Sequence, residues 1–357
     1  NVLKMNYFTY KENNTNDDYH KGIDAVADSN TCYDKPDRKQ KRPHYEKEAA
    51  KMMKKDNEFS DKKFQKVRNI SNKKDILRAF KRIGRSLNRV SRGEMPKEGY
   101  DKVCLILMNN INHTKHAPKI GALNDGYLFG LYHHRLGFKV FYLHNCTQSN
   151  YPKYLRFFLH NTTESLTVYY SGPGKTESGA NGVEFSDTYL TAYQLGHVIS
   201  RDNNGKCKVI FVSDCTSSGS VFDISEVNKV GNSCPSPMIS ISTNKSADPD
   251  SKDGQRSHGI LTYYFCKVIY DNPSIPVQRA VERINSFIDR FGQSVCLELS
   301  NRGILNDPIY EPCHHPAGDP LDEAVEEIEN TNNQSQSSDD ESDSSSDWEN
   351  SFNWLYF

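Results

Sequence analysis

Two apolar runs constrain this chain more than anything else in it. Leu166–Tyr170 leads into Ser171-Gly172-Pro173-Gly174, and Val209–Val212 leads into Ser213-Asp214-Cys215-Thr216-Ser217-Ser218-Gly219. Each run has the length of one strand, is apolar on both faces, and breaks into a polar, glycine-bearing cluster. A strand buried on both sides belongs to a parallel sheet covered by helices, not to a half-wet antiparallel one. In such a sheet the carboxyl ends of the strands open into the loops where sites are built. The segments around these runs fit the same picture. Val103–Met108 reads as a buried first strand, Ile120–Leu136 as a helix and Lys139–Leu143 as a strand. Helices are expected at Tyr151–Leu159, Tyr189–Ser200, Gly259–Tyr270 and Val277–Phe291, with strands at Met238–Ser242 and Val295–Leu299. The alternation predicts an α/β sandwich with a mainly parallel central sheet over residues 99–312.

The remainder of the 357 residues is too polar to be core: hydrophobic residues make up 36% of the chain, and mean hydropathy is -0.76. No run approaches the ~18 apolar residues of a membrane span, and no signal-peptide pattern opens the chain. The chain begins with Asn1 rather than Met, which suits a fragment or a processed form. Nine cysteines are scattered without a C-x-x-C, the usage of a reduced cytoplasmic or nuclear protein. Cys313-His314-His315 supplies too few ligands, in too tight a spacing, for a tetrahedral metal site.

Charge is distributed unevenly. Lys35 to Arg92 holds 21 Lys/Arg against 7 Asp/Glu, whereas Gly303 to Phe357 holds 14 Asp/Glu and no Lys or Arg. Residues 1–72 are expected to be disordered or marginally helical. Residues 73–98 read as a basic amphipathic helix running to Arg92, with Ile76, Leu77, Phe80, Ile83, Leu87 and Val90 on one face, and a linker closed by Gly93 and Pro96. Such a helix either packs on the following domain or serves as a membrane-surface or calmodulin-type target. Residues 313–357 form an acidic, Ser-rich tail ending in Trp348, Phe352, Trp354, Leu355, Tyr356 and Phe357. That end reads either as a frayed terminus or as a docking motif for a protein partner. The basic stretch lacks a nucleic-acid module, which argues against a nucleic-acid partner.

The framing segments resemble the caspase-like peptidases (clan CD, family C14), and most closely the metacaspases. Tyr169-Tyr170-Ser171-Gly172-Pro173-Gly174 is similar to the family's Tyr-Tyr-Ser-Gly-His-Gly, and Asp214-Cys215-Thr216-Ser217-Ser218-Gly219-Ser220 lies near its Asp-x-Cys-His-Ser-Gly. Gly121–Gly126 resembles Gly-Cys-x-Asn-Asp-Ala, and Gly259–Phe265 resembles Gly-x-x-Thr-x-x-Phe. The resemblance implies a caspase-like α/β/α sandwich and cysteine-type endopeptidase relatives cleaving after Arg or Lys. It places Pro173 at the histidine position and Thr216 at the cysteine position. A proline has no base, and a threonine hydroxyl needs a stronger activating base than a thiol. Cys215 is a poor substitute nucleophile, because a one-residue shift along a strand points a side chain to the opposite face. The implied basic-residue pocket maps onto Asp125, Ser171 and Asp214. Two carboxylates there either hold a guanidinium or only cap a helix and loop N–H groups. The family's calcium acids would fall in Lys175–Asp187, where Glu177, Glu184 and Asp187 are too few for that ion, so no cofactor is expected. The expected protein is a catalytically inactive member binding basic peptides or a related active peptidase. The alternatives are an active peptidase with a rearranged site, and a scaffold working through its charged ends.

Overall fold

The computed structural model describes residues 3–6, 73–88, 99–109, 121–177, 180–215, 221–230, 236–245, 259–313, 318, 320–322 and 324–326. All of them fall in one compact unit. In chain order the elements are β1 (Leu3–Asn6), α1 (Lys73–Ile83), β2 (Gly84–Ser86), β3 (Tyr100–Met108), α2 (Gly121–Arg135), β4 (Lys139–His144) and α3 (Asn150–Asn161). There follow β5 (Thr162–Gly172), β6 (Gly174–Glu177), β7 (Ala180–Glu184), β8 (Tyr189–Thr191), α4 (Ala192–Asp202), β9 (Lys208–Cys215) and α5 (Ile224–Val230). The last are β10 (Met238–Lys245), α6 (Ile260–Asp271), α7 (Val277–Ile288) and β11 (Gln293–Leu299).

The main sheet has the order β1-β11-β10-β9-β5-β3-β4-β2. From β2 to β10 every pairing is parallel, and β11 and β1 close one side antiparallel. The two framing runs are the adjacent central strands β5 and β9, paired Leu166↔Val209 through Gly172↔Cys215. One face of the sheet presents Leu105, Val168, Tyr170 and Phe211 to Tyr151, Leu155 and Phe158 of α3, Leu195 of α4 and Val227 of α5. The opposite face carries α1, α2, α6 and α7. There Phe129 of α2 stacks on Tyr169 at 4.1 Å between ring centroids and lies 5.8 Å from Phe265 of α6. Gly126 and Gly130 let α2 settle onto β3, since a methyl at Gly126 would meet Met108 Sδ at 2.2 Å. A small antiparallel sheet, β6-β7-β8, stands apart from the main one.

The basic helix is shorter than its apolar periodicity suggests. It ends at Ile83, not Arg92, and Gly84–Ser86 continues as an edge strand parallel to β4. Gly84 causes the change: a Cβ there would stand 2.9 Å from Val140 Cγ1, so only glycine brings the chain this close to β4. Leu87 is buried, as the helical spacing requires, but from extended chain whose N–H donates to Tyr142 O at 2.9 Å. The helix itself packs on the domain. Ile76, Ala79 and Phe80 are buried, and Phe80 meets the rings of Tyr127 and Tyr142 at 5.8 and 4.1 Å.

Three further expectations shift. Tyr189–Thr191 is a strand, and the helix begins at Ala192 behind a capping box. Thr191 Oγ1 accepts from Gln194 N–H at 3.2 Å, and Thr191 N–H donates to Gln194 Oε1 at 2.9 Å. Within the N-terminal region expected to lack structure, Leu3–Asn6 pairs with β11, while residues 7–72 lie outside the described residues. In the acidic tail, Leu321 and Ala324 are fully buried, so its first part contributes to the core. Its Ser-rich segment and aromatic end lie outside the described residues.

Candidate active site

The carboxyl ends of β5 and β9 bring Ser171 opposite Asp214 and Gly172 opposite Cys215. Asp125, in the first turns of α2, reaches the same place, and its Oδ2 accepts from Ser171 Oγ at 3.5 Å. Asp125, Ser171 and Asp214 are thus assembled into one cluster, and all three are 1% exposed or less.

Asp214 has a demanding structural duty. Its Oδ2 accepts from the N–H of Gly259 at 3.1 Å, from the N–H of Thr262 at 3.0 Å and from Thr262 Oγ1 at 2.7 Å. A carboxylate from β9 therefore does the work of a cap for α6, where the unpaired N–H groups and the positive end of the helix dipole favour a negative charge. Thr262 commits its proton to Asp214, so the 2.7 Å contact with Tyr169 Oη is a bond that Tyr169 donates. Gly259 is left-handed at φ 82°, and a Cβ there would fall 2.4 Å from Asp125 Oδ1. The absence of a side chain at Gly259 lets both carboxylates meet at the start of α6.

The charge of this cluster reaches the buried groups around it. Tyr169 is held well above the ordinary phenol value, first by burial and then by the negative charges of Asp125 and Asp214. Cys266 of α6 is pushed up by burial and then by Cys104, Asp125 and Asp214, which keeps it a neutral thiol. A group carrying positive charge would relieve what these two resist.

The sequence resemblance contained Tyr169, Gly259, Thr262 and Phe265 without giving any of them a role. Their work is visible only in three dimensions. Gly259 allows close approach, Thr262 binds Asp214, Tyr169 supports Thr262, and Phe265 packs on Phe129. The Gly-x-x-Thr-x-x-Phe spacing was the available signal.

The loop beyond β5 is pinned from three sides. Tyr170 Oη donates to the carbonyl of Pro173. The N–H of Asn109 donates to Ser171 O at 3.0 Å, and Asn109 Nδ2 donates to Glu184 O at 2.5 Å. Gly172 fits between them, since a methyl there would lie 2.8 Å from Asn109 O and 2.9 Å from Tyr170 Oη. Pro173 itself is half-buried. Cys215 is also half-buried and packs on the α3–α5 side of the sheet, away from the side that bears Asp214. Burial raises the Tyr170 hydroxyl strongly, with Cys215 adding to the effect. Thr216 lies outside the described residues, as do Ser217–Ser220.

Lys175–Asp187 is the stretch that the resemblance aligns with a calcium site. It forms β6, β7 and the turn to β8, with the backbone oxygen of Glu184 already accepting from Asn109 and Asp187 Oδ1 accepting from Gln148 N–H at 2.8 Å. Among the described residues no three His, Cys, Asp or Glu side chains gather as a metal set. His314 and His315 lie outside them, and the seven described cysteines are free thiols. No helix among the described residues is long and apolar enough to cross a membrane.

Residues 101–302, more than half of the chain, match the caspase-domain model of the C14 peptidases. Among solved structures, the Drosophila initiator caspase Dronc is similar at 14% identity, over 64% of this chain and 95% of its own, with a TM-score of 0.43. A Geobacter sulfurreducens protein is similar at 15% identity, over 60% of this chain and all of its own, with a TM-score of 0.42. No curated protein matches the sequence.

Proposed function

Because this chain belongs to the caspase-domain family of C14 peptidases, we propose that it is a non-catalytic member whose site receives a basic side chain. The meeting of Asp125, Ser171 and Asp214 at the strand ends carries this reading. Two carboxylates flanking a serine suit a guanidinium or ammonium, which exchanges its water for charge-assisted bonds. A planar guanidinium gains more than an ammonium because its donors are fixed in a fork. The occupant is a basic peptide segment, free or on the surface of a related active peptidase.

The reading of inactivity rests on residue chemistry. The resemblance assigns the general base to Pro173, which has no titratable group, and the nucleophile to Thr216. Cys215 alternates with Asp214 along β9 and packs against the apolar cluster on the α3–α5 side of the sheet. In thiol peptidases the base and nucleophile act as a unit, so losing both removes most of the chemical step.

The test uses the purified full chain with fluorogenic peptides carrying Arg or Lys, with and without calcium, alongside calorimetry with a non-cleavable Arg peptide. The expectation is binding without turnover, with binding weakened at least tenfold by Asp125→Asn. Turnover abolished by Cys215→Ala would instead establish a rearranged cysteine site, and turnover abolished by Thr216→Ala a threonine nucleophile. No binding of any basic peptide would remove the receptor reading and leave the carboxylates as structural caps.

A further inference from the structure

Three hydroxyls alternate along one face of β5, at Thr167, Tyr169 and Ser171, and all three residues are fully buried. The ring of the middle one is fixed by stacking. Tyr169 lies on Phe129 with 4.1 Å between centroids and 20° between planes, and Phe129 lies likewise on His133 at 4.1 Å and 22°. A phenylalanine would fill that stack equally well, and a buried hydroxyl costs free energy unless it is bonded. The Tyr169 oxygen is bonded at the carboxylate cluster. It donates to Thr262 Oγ1 at 2.7 Å, and Thr262 Oγ1 donates to Asp214 Oδ2 at 2.7 Å. Ser171 is the second hydroxyl that bears on the Tyr169 oxygen, and Ser171 Oγ donates to Asp125 Oδ2 at 3.5 Å. One phenol thus stands between the two hydroxyls that serve the two carboxylates.

We propose that Tyr169 is a positioning residue for the carboxylate pocket, acting through Thr262 to decide which oxygen of Asp214 is offered to a basic ligand. The proposal rests on Asp125, Ser171 and Asp214 being a receptor for a basic side chain. The chain from Tyr169 to Thr262 to Asp214 runs one way, each hydroxyl accepting one bond and donating the next, so each bond polarises its neighbour. With the N–H groups of Gly259 and Thr262 it fills Oδ2 with three bonds. No described residue donates to Oδ1. Tyr169 remains a donor, since burial, and after it the charges of Asp125 and Asp214, hold its proton well above the ordinary phenol range.

A carboxylate held in this way does not turn both oxygens to a ligand as a fork. It offers one. A guanidinium that meets Asp214 through Oδ1 finds its next acceptor elsewhere in the cluster, at Ser171 or Asp125. The spacing of those acceptors is then set by the stacked ring and its hydroxyl, before any ligand arrives. A planar guanidinium with donors in fixed directions depends on that spacing more than an ammonium, whose donors rotate. Tyr169 is therefore the residue that sets the preference for Arg over Lys, without touching either.

Calorimetry of the full chain with three non-cleavable peptides, differing only in carrying Arg, Lys or norleucine, tests this. Tyr169→Phe keeps the ring stack and should lower affinity for the Arg peptide by about fivefold or more, the effect of one lost buried hydrogen bond. Affinity for the Lys peptide should fall by less than about twofold. Thr262→Val should act in the same way, and the double variant should lose no more than either alone, because the two hydroxyls work in series. Thr262→Ser keeps a hydroxyl and should keep the Arg preference. If a thermal melt shows that Tyr169→Phe or Thr262→Val perturbs the fold, the unchanged chain with ring-labelled tyrosine gives a second readout by NMR. There the Arg peptide should shift the Tyr169 ring signal more than the Lys peptide does, and the norleucine peptide should leave it in place. Equal losses for Arg and Lys, additive losses in the double variant, or a Tyr169 signal indifferent to the Arg peptide would overturn the proposal and leave the pocket a receptor. No binding of the Arg peptide to the unchanged chain would instead remove the receptor reading, and this inference with it.

Discussion

Asp214 holds both the backbone N–H and the hydroxyl of Thr262 on a single carboxylate oxygen, at 3.0 and 2.7 Å. This bond pair joins the end of β9 to the start of α6 and makes the supposed binding carboxylate a structural one as well. Structural and binding roles can be separated by substitution. Asp214→Ala strands three donors in a buried place and should cost about 2–4 kcal/mol. Asp214→Asn keeps an acceptor oxygen and should cost about 1 kcal/mol, yet lose the charge that a basic ligand needs. Urea unfolding should therefore rank Ala well below Asn, and calorimetry with an Arg peptide should find both impaired. Equal stability for the two variants would contradict the capping geometry.

Gly259→Ala is expected to be severe for two independent reasons. The left-handed backbone disfavours any side chain, and the new methyl would enter the Asp125 carboxylate at 2.4 Å. A loss of about 2–3 kcal/mol in thermal or urea unfolding is expected. Gly99→Ala has the left-handed cost without the collision, since a methyl there meets nothing within 4 Å, so it should lose about 1 kcal/mol. A Gly259→Ala loss no larger than the Gly99→Ala loss would rule out the collision.

Restoring the two positions implied by the family resemblance tests whether the frame is intact. Pro173→His with Thr216→Cys should give a thiol alkylated faster near neutral pH than that of Thr216→Cys alone, because an adjacent imidazole lowers a thiol's pKa. Equal alkylation rates in the two variants from pH 5 to 8 would mean that the imidazole and the thiol never meet.

Acid sensitivity is predicted at His133. It is buried, with Nδ1–H donating to Phe129 O at 2.8 Å and Nε2 accepting from Tyr310 Oη at 2.9 Å. Tyr310 in turn accepts from Thr167 Oγ1 at 2.8 Å. Burial lowers the ring from 6.5 to about 4, against a small opposing pull from the Phe129 carbonyl. The folded value lies below the unfolded one, so folding favours the neutral ring. Its contribution is complete above pH 6.5 and drains away as pH falls to about 4, to a total of roughly 3 kcal/mol. His144 is lowered to about 4 by burial and by Lys73 and adds to the same window. His133→Gln should therefore flatten, but not abolish, the fall in stability between pH 6.5 and 4. An unchanged slope would show that His133 does not carry this term.

The central architecture was legible because it is written in local pattern. Leu166–Tyr170 and Val209–Val212 are apolar on both faces, and only a covered parallel strand has use for that. The length of α1 was not legible. Helical spacing counted Leu87 as one more buried position, and nothing local reveals that Gly84 must lie against Val140. The antiparallel hairpins of β6–β8 were missed because Gly174–Glu184 has no apolar alternation to show them. At the site, Asp125, Ser171 and Asp214 could be named from the resemblance, but the hold of Thr262 on Asp214 links residues 48 apart in sequence, beyond the reach of any local pattern. The buried Leu321 and Ala324 were lost against the acids around them.

The pairing of Leu3–Asn6 with β11 also bears on how copies of this chain can meet. A sheet grows by adding strands at a free edge, and β11, flanked by β10 on one side, would otherwise offer its second row of backbone donors and acceptors to any extended segment. Leu3↔Leu299 through Asn6↔Cys296 fills that row. A neighbouring molecule that docked there edge-to-edge would first have to strip β1 away and replace its hydrogen bonds one for one. Self-association on β11 itself is therefore an exchange reaction governed by the local opening of four residues, and the outermost strand on this side, among the described residues, is the four-residue β1.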